Sequence, residues 1–122
     1  MSEKIYKLTK SVISSLFEKS KIGIYVLGNY TNDYFKVGYV GRSDTDLRYR
    51  LLQHSKNNQY SYFYYIATNT IFEAFKLECR EWHRFFNIKN SIHPDAPNNI
   101  PYICPYCNGA KEIHQGLKKR GA

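Results

Sequence analysis

Two segments of the sequence carry side chains whose types and spacing suit chemistry on a phosphodiester. Arg50 and His54 lie four residues apart in RLLQH, so they share one face if the segment is helical. The planar, permanently charged guanidinium of Arg50 suits phosphate oxygens. Glu78, in EAFKLE, is a hard oxygen ligand of the kind that Mg²⁺ prefers. Phosphodiester hydrolysis needs an activated water and cations at the phosphoryl oxygens, and these residues favour that chemistry over ordinary solvated helix charge.

Other cationic side chains lie near these segments. Lys36 and Arg42 flank a short β-type segment, and both are predicted to bind phosphate, with plain surface charge as the alternative. Arg48 precedes Arg50 by two residues and is another candidate contact to nucleic acid.

The overall charge indicates a polyanionic partner. The 122 residues carry 18 Lys and Arg against 10 Asp and Glu, a net charge of +8, and part of it lies in the tail at 118–120. Neutralising phosphates releases counterions, so a basic chain favours nucleic acid, but charge alone does not separate DNA from RNA. No apolar run has the length of a membrane span, and residues 1–10 do not resemble a secretory signal. We therefore expect a cytoplasmic, intracellular protein without membrane contact.

The pattern of apolar residues predicts one domain with elements in the order α-β-β-α-β-α. They are a helix over 5–19, strands over 24–27 and 34–40 around a turn at 28–33, a helix from 43–46 to about 56, a strand over 60–67, and a helix that Thr70 and Glu73 open as a capping box. All four prolines follow between 90 and 105, which predicts a loop.

Four pieces of sequence, in this order, resemble the GIY-YIG nuclease superfamily. They are GIY at 23–25, YVG at 39–41 in place of YIG, RLLQH at 50–54 and EAFKLE at 73–78. The resemblance covers roughly residues 22–86. It implies an α/β fold of the α+β kind, in which a three-stranded antiparallel sheet is flanked by helices. An N-terminal helix at 1–21, a Cys/Pro-rich extension at 87–108 and a basic tail at 109–122 would complete the chain.

The resemblance also assigns roles. Glu78 is implied as the single glutamate that binds catalytic Mg²⁺ or Mn²⁺, and Arg50 as the catalytic arginine. Tyr25 and Tyr39 are implied to line the pocket, with Tyr25 orienting or deprotonating the water. A free Tyr has a pKa near 10, so it needs help to act as a base. His54 is a base, a phosphate donor or a brace for Tyr25.

Two further points concern the resemblance. The stretch RSDTDLRY between Gly41 and Arg50 is about one residue longer than the family spacing leads us to expect, so Arg48 competes with Arg50 for the role of the catalytic arginine. We prefer Arg50, because the residues that follow it continue the family pattern: Leu51, Gln53 and His54. An Asn common near the end of the family domain has Asn87 or Asn90 as its counterpart here. Gly23 and Gly41 are predicted to permit close backbone approach rather than to take part in chemistry.

The three cysteines predict a structural zinc site. Cys104 and Cys107 have CxxC spacing, and Cys79 and His83 lie four apart on a predicted helix, which together gives a Cys₃His set. His93 is the alternative fourth ligand, and His114 a weaker one. Unliganded thiols and thiol redox chemistry remain the alternatives, although Cys104 does not follow a strand and open a helix as redox motifs do.

Taken together, the sequence predicts a metal-dependent endonuclease with DNA favoured over RNA as substrate, in repair, restriction or defence against mobile elements. A non-catalytic, zinc-containing nucleic-acid-binding module is the alternative, and a zinc module that recruits a protein partner is a third. A domain this small has few surfaces for specificity, so a homodimer or larger complex is compatible with the prediction.

Overall fold

The computed structural model describes residues 4–85, 94–97 and 104–106, and this part of the chain forms an α+β fold. Its elements are β1 (Tyr6–Lys7), α1 (Lys10–Leu16), β2 (Ile22–Thr31), β3 (Tyr34–Ser43), α2 (Leu47–Asn57), β4 (Tyr62–Thr68) and α3 (Ile71–Arg84). The four strands form one antiparallel sheet in the order β1-β4-β2-β3. None of the described helices is long and apolar enough to cross a bilayer.

The sheet has one strand more than predicted, because the chain before Lys10 is extended rather than helical. Tyr6 pairs with Phe63 of β4, and the two rings lie 5.6 Å apart. Thr9 then starts α1, since its hydroxyl accepts a hydrogen bond from the amide of Val12 at 3.3 Å. The predicted helix over 5–19 is therefore wrong at both ends: α1 covers Lys10–Leu16, and its N-cap is a threonine that periodicity alone did not single out.

The hairpin of β2 and β3 is longer than predicted, and its turn is shorter. Asn32 and Asp33 form the turn with φ of 50° and 72°, a left-handed pair that matches the twist of a two-residue hairpin. Residues 28–31, predicted to be turn, belong instead to β2. The register shifts between Leu27 and Gly28, which marks a bulge there.

Helices cover both faces of the sheet. Alternate residues of the central strand β2 point to opposite faces, so Tyr25 and Leu27 pack with the side that carries α1 and α2. Ile24 and Val26 pack on the other side with Trp82 of α3. The strand β3 is one edge of the sheet, and its last residues lie between these two layers.

Both long helices begin at a side-chain cap that the sequence indicates. Asp46 accepts a hydrogen bond from the amide of Tyr49 at 3.2 Å, and α2 starts at the next residue. Thr70 accepts from the amide of Glu73 at 3.1 Å, and the carboxylate of Glu73 accepts from the amide of Asn69 rather than of Thr70. These caps set where α2 and α3 begin, and hence which of their residues face the sheet.

A buried carboxylate fixes α3 against β4. Glu81 has no exposed surface, and it accepts hydrogen bonds from the hydroxyl of Tyr64 at 2.5 Å and from Arg80 and Arg84 at 2.9 and 3.2 Å. Burial and the bond to Glu81 raise the pKa of Tyr64. A buried charge is tolerated only when it is paired and hydrogen-bonded, as here.

Tyr64→Phe removes one of these donors from a buried carboxylate, so we expect it to lower the free energy of unfolding by about 1–3 kcal/mol in urea denaturation. Tyr62→Phe is the matched control, because Tyr62 lies two residues earlier on β4 and is half-buried. Equal stability of the two variants would mean that the Tyr64 hydroxyl does not stabilise Glu81.

Candidate active site

The hydroxyl of Tyr25 and the imidazole of His54 form the hydrogen bond at the centre of the candidate site. Tyr25 Oη lies 3.0 Å from His54 Nε2, although the two residues are 29 positions apart in the chain. Tyr25 is 1% exposed, and His54 is half-buried on α2. The ring of Tyr39 stacks on that of Tyr25 with centroids 6.2 Å apart and lies 5.1 Å from the imidazole. The structure therefore brings three predicted catalytic side chains together.

Gly41 allows Tyr25 to lie over the edge strand. The two residues are paired across β2 and β3, so their side-chain positions face the same way. A Cβ atom at Gly41 would overlap the ring and the hydroxyl of Tyr25. The close approach expected of Gly41 is thus an approach by the tyrosine ring, and Gly23 likewise leaves room for the carbonyl of Ile66.

Arg50, rather than Arg48, lies at the site. Arg50 lines a pocket together with Glu78, and its charge acts on the ionisation of both Tyr25 and His54. Arg48 is exposed and is not among the residues that line this pocket. Two positions along a helix turn a side chain by about 200°, which is why only one of the two arginines can share the face of His54.

Glu78 approaches from the opposite face of the sheet and is held by Arg42. Glu78 Oε1 lies 2.9 Å from Arg42 Nη1, and the two side chains are 11% and 12% exposed. Arg42 Nε also bonds to Asp44 Oδ1 at 2.7 Å, while its Nη1 donates to the carbonyl of Asp95 at 2.8 Å. Its guanidinium lies 5.5 Å from the centroid of the Phe75 ring. Arg42 is therefore engaged with protein groups, whereas the sequence predicted a phosphate ligand.

A pocket of about 240 Å³ opens at the end of β3, between Arg50 and the pair of Arg42 and Glu78. It is lined by Arg42, Ser43, Asp44, Thr45, Arg50, Glu78 and Asp95. Its lining combines two guanidinium groups with carboxylates, so it can accommodate an anion beside a cation-binding oxygen.

Burial sets the ionisation of the tyrosine and histidine. The pKa of Tyr25 is raised by burial and by its neighbours Tyr39 and Glu78, while Arg50 opposes the shift. The pKa of His54 is lowered by burial and by Arg50. At neutral pH, Tyr25 is therefore a neutral phenol and His54 a neutral imidazole. A neutral imidazole with an Nδ1 proton can accept the hydroxyl proton of Tyr25 at Nε2.

Burial also governs Glu78. It raises the pKa of this carboxyl to about 8, with Asp44 and Asp95 acting in the same direction and Arg42 against it. The positive charge of Arg42 is therefore too little to cancel the two effects that raise the pKa of Glu78, its burial and the negative charge of Asp44 and Asp95. A further cation at the pocket would favour the charged form.

Lys36 lies away from this pocket. It pairs with Asn29 near the tip of the hairpin, whereas Arg42 pairs with Ile24. Six residues of extended strand separate the two cations, which corresponds to about 20 Å. Any contact of Lys36 with nucleic acid would therefore be remote from Glu78.

Part of the predicted zinc site lies within the described residues. Cys79 is next to Glu78 but packs in a separate buried cluster with Phe75 and Cys104. Cys104 Sγ lies 3.5 Å from His83 Nε2. Within residues 4–85, 94–97 and 104–106, no group of three or more His, Cys, Asp or Glu side chains is arranged to hold a metal ion. The other predicted ligands and the predicted Asn counterparts lie outside the described residues: Cys107, His93, His114, Asn87 and Asn90.

Sequence reasoning missed the residues that hold Arg42. Asp44 follows Arg42 by two positions, a spacing common in any loop, and the carbonyl of Asp95 carries no side-chain signal at all. The alternation of β3 offered one clue. Arg42 falls on the same face as Val40, which is buried, so a solvated side chain was not to be expected there.

Comparison of the chain with protein-family models finds no match, and neither curated proteins nor solved structures match it. The fold class therefore rests on the geometry above, and the likeness to GIY-YIG nucleases rests on the sequence motifs.

The raised pKa of Glu78 predicts how stability depends on pH in metal-free buffer with a chelator. A carboxyl with a pKa near 4.5 unfolded and about 8 folded binds its proton more tightly when folded. The contribution of protonated Glu78 to the free energy of unfolding is fully present below pH 4.5 and is lost as the pH rises to 8. We expect the free energy of unfolding of wild type to fall relative to that of Glu78→Gln across this window, in urea titrations at several pH values. A difference that does not change with pH would contradict the assignment.

Proposed function

We propose that this protein is a metal-dependent endonuclease that hydrolyses phosphodiester bonds of nucleic acid. The observation that carries the proposal is the convergence of three separate groups at one end of the sheet. The bonded pair of Tyr25 and His54, the guanidinium of Arg50 and the carboxylate of Glu78 come from β2, α2 and α3. A binding surface has no need for a buried tyrosine–histidine pair beside a carboxylate.

The ionisation states suggest how the proton of an attacking water would move. Tyr25 is a poor base because burial raises its pKa. Its hydroxyl can still orient a water and pass a proton to His54 Nε2, which lies 3.0 Å away and is neutral. His54 is then the group that takes up the proton, and Tyr25 is the relay between the water and the imidazole.

Arg50 and Glu78 would act on the phosphate. The exposed guanidinium of Arg50 lines the pocket and can bind two phosphoryl oxygens at once as charge develops on them. Glu78 would hold a Mg²⁺ or Mn²⁺ ion, since its carboxylate is a hard oxygen donor whose burial leaves it short of positive charge. Such an ion would stabilise charge on the phosphoryl and leaving oxygens.

DNA is preferred over RNA as the proposed substrate on the strength of the motif likeness alone. The net charge of +8 suits either polymer. A second copy of the chain or a larger complex would supply sequence or structure specificity, because the described pocket has room for little more than one phosphate and its neighbours.

A non-catalytic nucleic-acid-binding module is the second candidate. The ion pair of Glu78 with Arg42 favours it, because a carboxylate that already has a partner at 2.9 Å can be a purely structural group. The two candidates differ in whether Glu78 is needed for turnover.

A structural zinc ion held by Cys79, His83, Cys104 and Cys107 is part of the proposal, with His93 as an alternative ligand. The proximity of Cys104 to His83 and its packing with Cys79 support it. Such an ion would attach the segment that follows α3 to the outer side of the helix that carries Glu78.

The nuclease proposal predicts that purified protein nicks or cuts supercoiled plasmid in Mg²⁺ or Mn²⁺. Arg50→Ala and Glu78→Gln should each lower the rate at least about 100-fold, because the first removes a cation that meets transition-state charge and the second removes the proposed metal ligand. Arg48→Ala is the matched control and should retain the rate within about threefold, since Arg48 lies on the same helix but outside the pocket.

A wild type that binds but does not cut DNA or RNA with any divalent metal would favour the binding module. Cutting that survives Glu78→Gln at the wild-type rate but is lost in Arg50→Ala would exclude Glu78 from the chemistry. Cutting that survives both substitutions would indicate a contaminating nuclease.

For zinc, elemental analysis of purified protein should give one equivalent. The metal should persist in Glu78→Ala and be lost in Cys104→Ser, which removes a thiolate ligand and should lower the unfolding temperature. A zinc site is excluded if purified wild-type protein contains no metal and Cys104→Ser leaves its unfolding temperature unchanged.

A further inference from the structure

A second cavity, of about 420 Å³, lies beside α3 at the same end of the sheet as the catalytic pocket. It is bounded by the end of β4, the first turns of α3 and one aromatic side chain. The lining residues are Ala67, Thr68, Asn69, Glu73, Lys76, Leu77 and Tyr106. None of them has a part in the proposed chemistry.

The lining suits a flat aromatic ring with polar edges. Tyr106 is 46% exposed and offers a ring face for stacking, and Leu77 adds apolar surface. Asn69 is exposed and carries both an amide donor and a carbonyl acceptor. Glu73 uses Oε1 to accept from the amide of Asn69, which leaves Oε2 to accept from an amino or imino group. A nucleobase combines these features: a stackable face, and donors and acceptors along its edge.

Positive charge lies next to the cavity. The ammonium of Lys76 lies 5.1 Å from the centroid of the Phe72 ring, which holds it at the rim. Arg80 follows one helical turn later, and its side chain is 42% exposed while Glu81 anchors its Nε at 2.9 Å. Four residues of helix advance about 6 Å along the axis, so Arg80 adds a second positive charge near the cavity. Such charge favours the phosphates of a nucleic-acid strand that enters it.

The register of the sheet sets the distance to the catalytic pocket. Ser43, in that pocket, pairs with Gly23, and Gly23 pairs with Ala67, which lines the second cavity. Two inter-strand spacings amount to about 10 Å. A stacked strand covers this distance in about three nucleotides at ~3.4 Å each, and an unstacked one in fewer.

We propose that this cavity receives one unstacked nucleobase of the substrate strand, one to three nucleotides from the bond that is cut. The inference rests on the nuclease function proposed above and names its substrate class: nucleic acid with unpaired nucleotides next to the cleavage point, such as a flap, a mismatch or a single strand. Intact duplex would have to unstack a base first, at a cost in free energy.

The test uses the fluorescent base 2-aminopurine, which loses emission when it stacks on an aromatic ring. It is placed at successive positions of a single-stranded flap on a DNA duplex and titrated with the Glu78→Gln protein, so that no strand is cut. Emission should fall at one or two neighbouring positions only. Adding Tyr106→Phe should preserve this response, because the ring remains, and Tyr106→Leu should abolish it.

A second measurement does not depend on Tyr106. Asn69→Trp, in a protein with intact Glu78, fills the cavity from the exposed turn between β4 and α3, and Thr31→Trp at the exposed hairpin end is its matched control. Wild type and the control should cut the flap substrate at least tenfold faster than intact duplex, and Asn69→Trp should bring that ratio close to one. Circular dichroism verifies the fold of each variant.

The outcomes separate the two proposals. Cutting without a position-specific loss of emission, or with a loss that survives Tyr106→Leu, overturns the base-binding cavity and leaves the nuclease function standing. A position-specific response in protein whose wild type never cuts supports the cavity and overturns the nuclease function.

Discussion

The guanidinium of Arg42 is the point on which the geometry of the site depends. It bonds at once to its own strand end through Asp44, to α3 through Glu78 and to the segment 94–97 through a backbone carbonyl. These are parts of the chain up to 53 residues apart. Because a planar arginine fixes the directions of its donors, these contacts define how Glu78 faces the pocket. A buried ion pair contributes little net stability to the fold, because both charges lose their hydration, so the main effect of Arg42 here is to orient Glu78.

The edge position of β3 explains how groups on both faces of a sheet can lie within electrostatic reach of one another. Tyr25 and His54 lie on the side of α1 and α2, and Glu78 lies on the side of α3. In the middle of a sheet the strands would separate them. At the end of an edge strand, with a glycine at position 41, the ring of Tyr25 lies over the strand on its own face, and its hydroxyl feels the charges of Arg50 and Glu78.

Much of this arrangement could be predicted from the sequence, because it depends on local signals. Asp46, Thr70 and Glu73 mark where α2 and α3 begin, and the four-residue spacing of Arg50 and His54 places both on one helix face. The first strand could not be predicted in this way. Two residues, Tyr6 and Lys7, are too few to show a period, and their pairing with β4 depends on contacts almost sixty positions away. The hydrogen bonds of Arg42 could not be predicted for the same reason, since they depend on residues that only the tertiary fold brings together and on a main-chain oxygen.

The anchor on Asp95 also bears on when the candidate site forms during synthesis. Residues 6–84 contain the sheet, the helices and all the side chains of the proposed chemistry. The guanidinium that aims Glu78 nevertheless lacks one of its partners until residue 95 has been added and has folded back. Domains form as units while the chain grows from its N-terminus. A nascent or truncated chain that stops before residue 95 would therefore carry the motifs of the site without their final alignment.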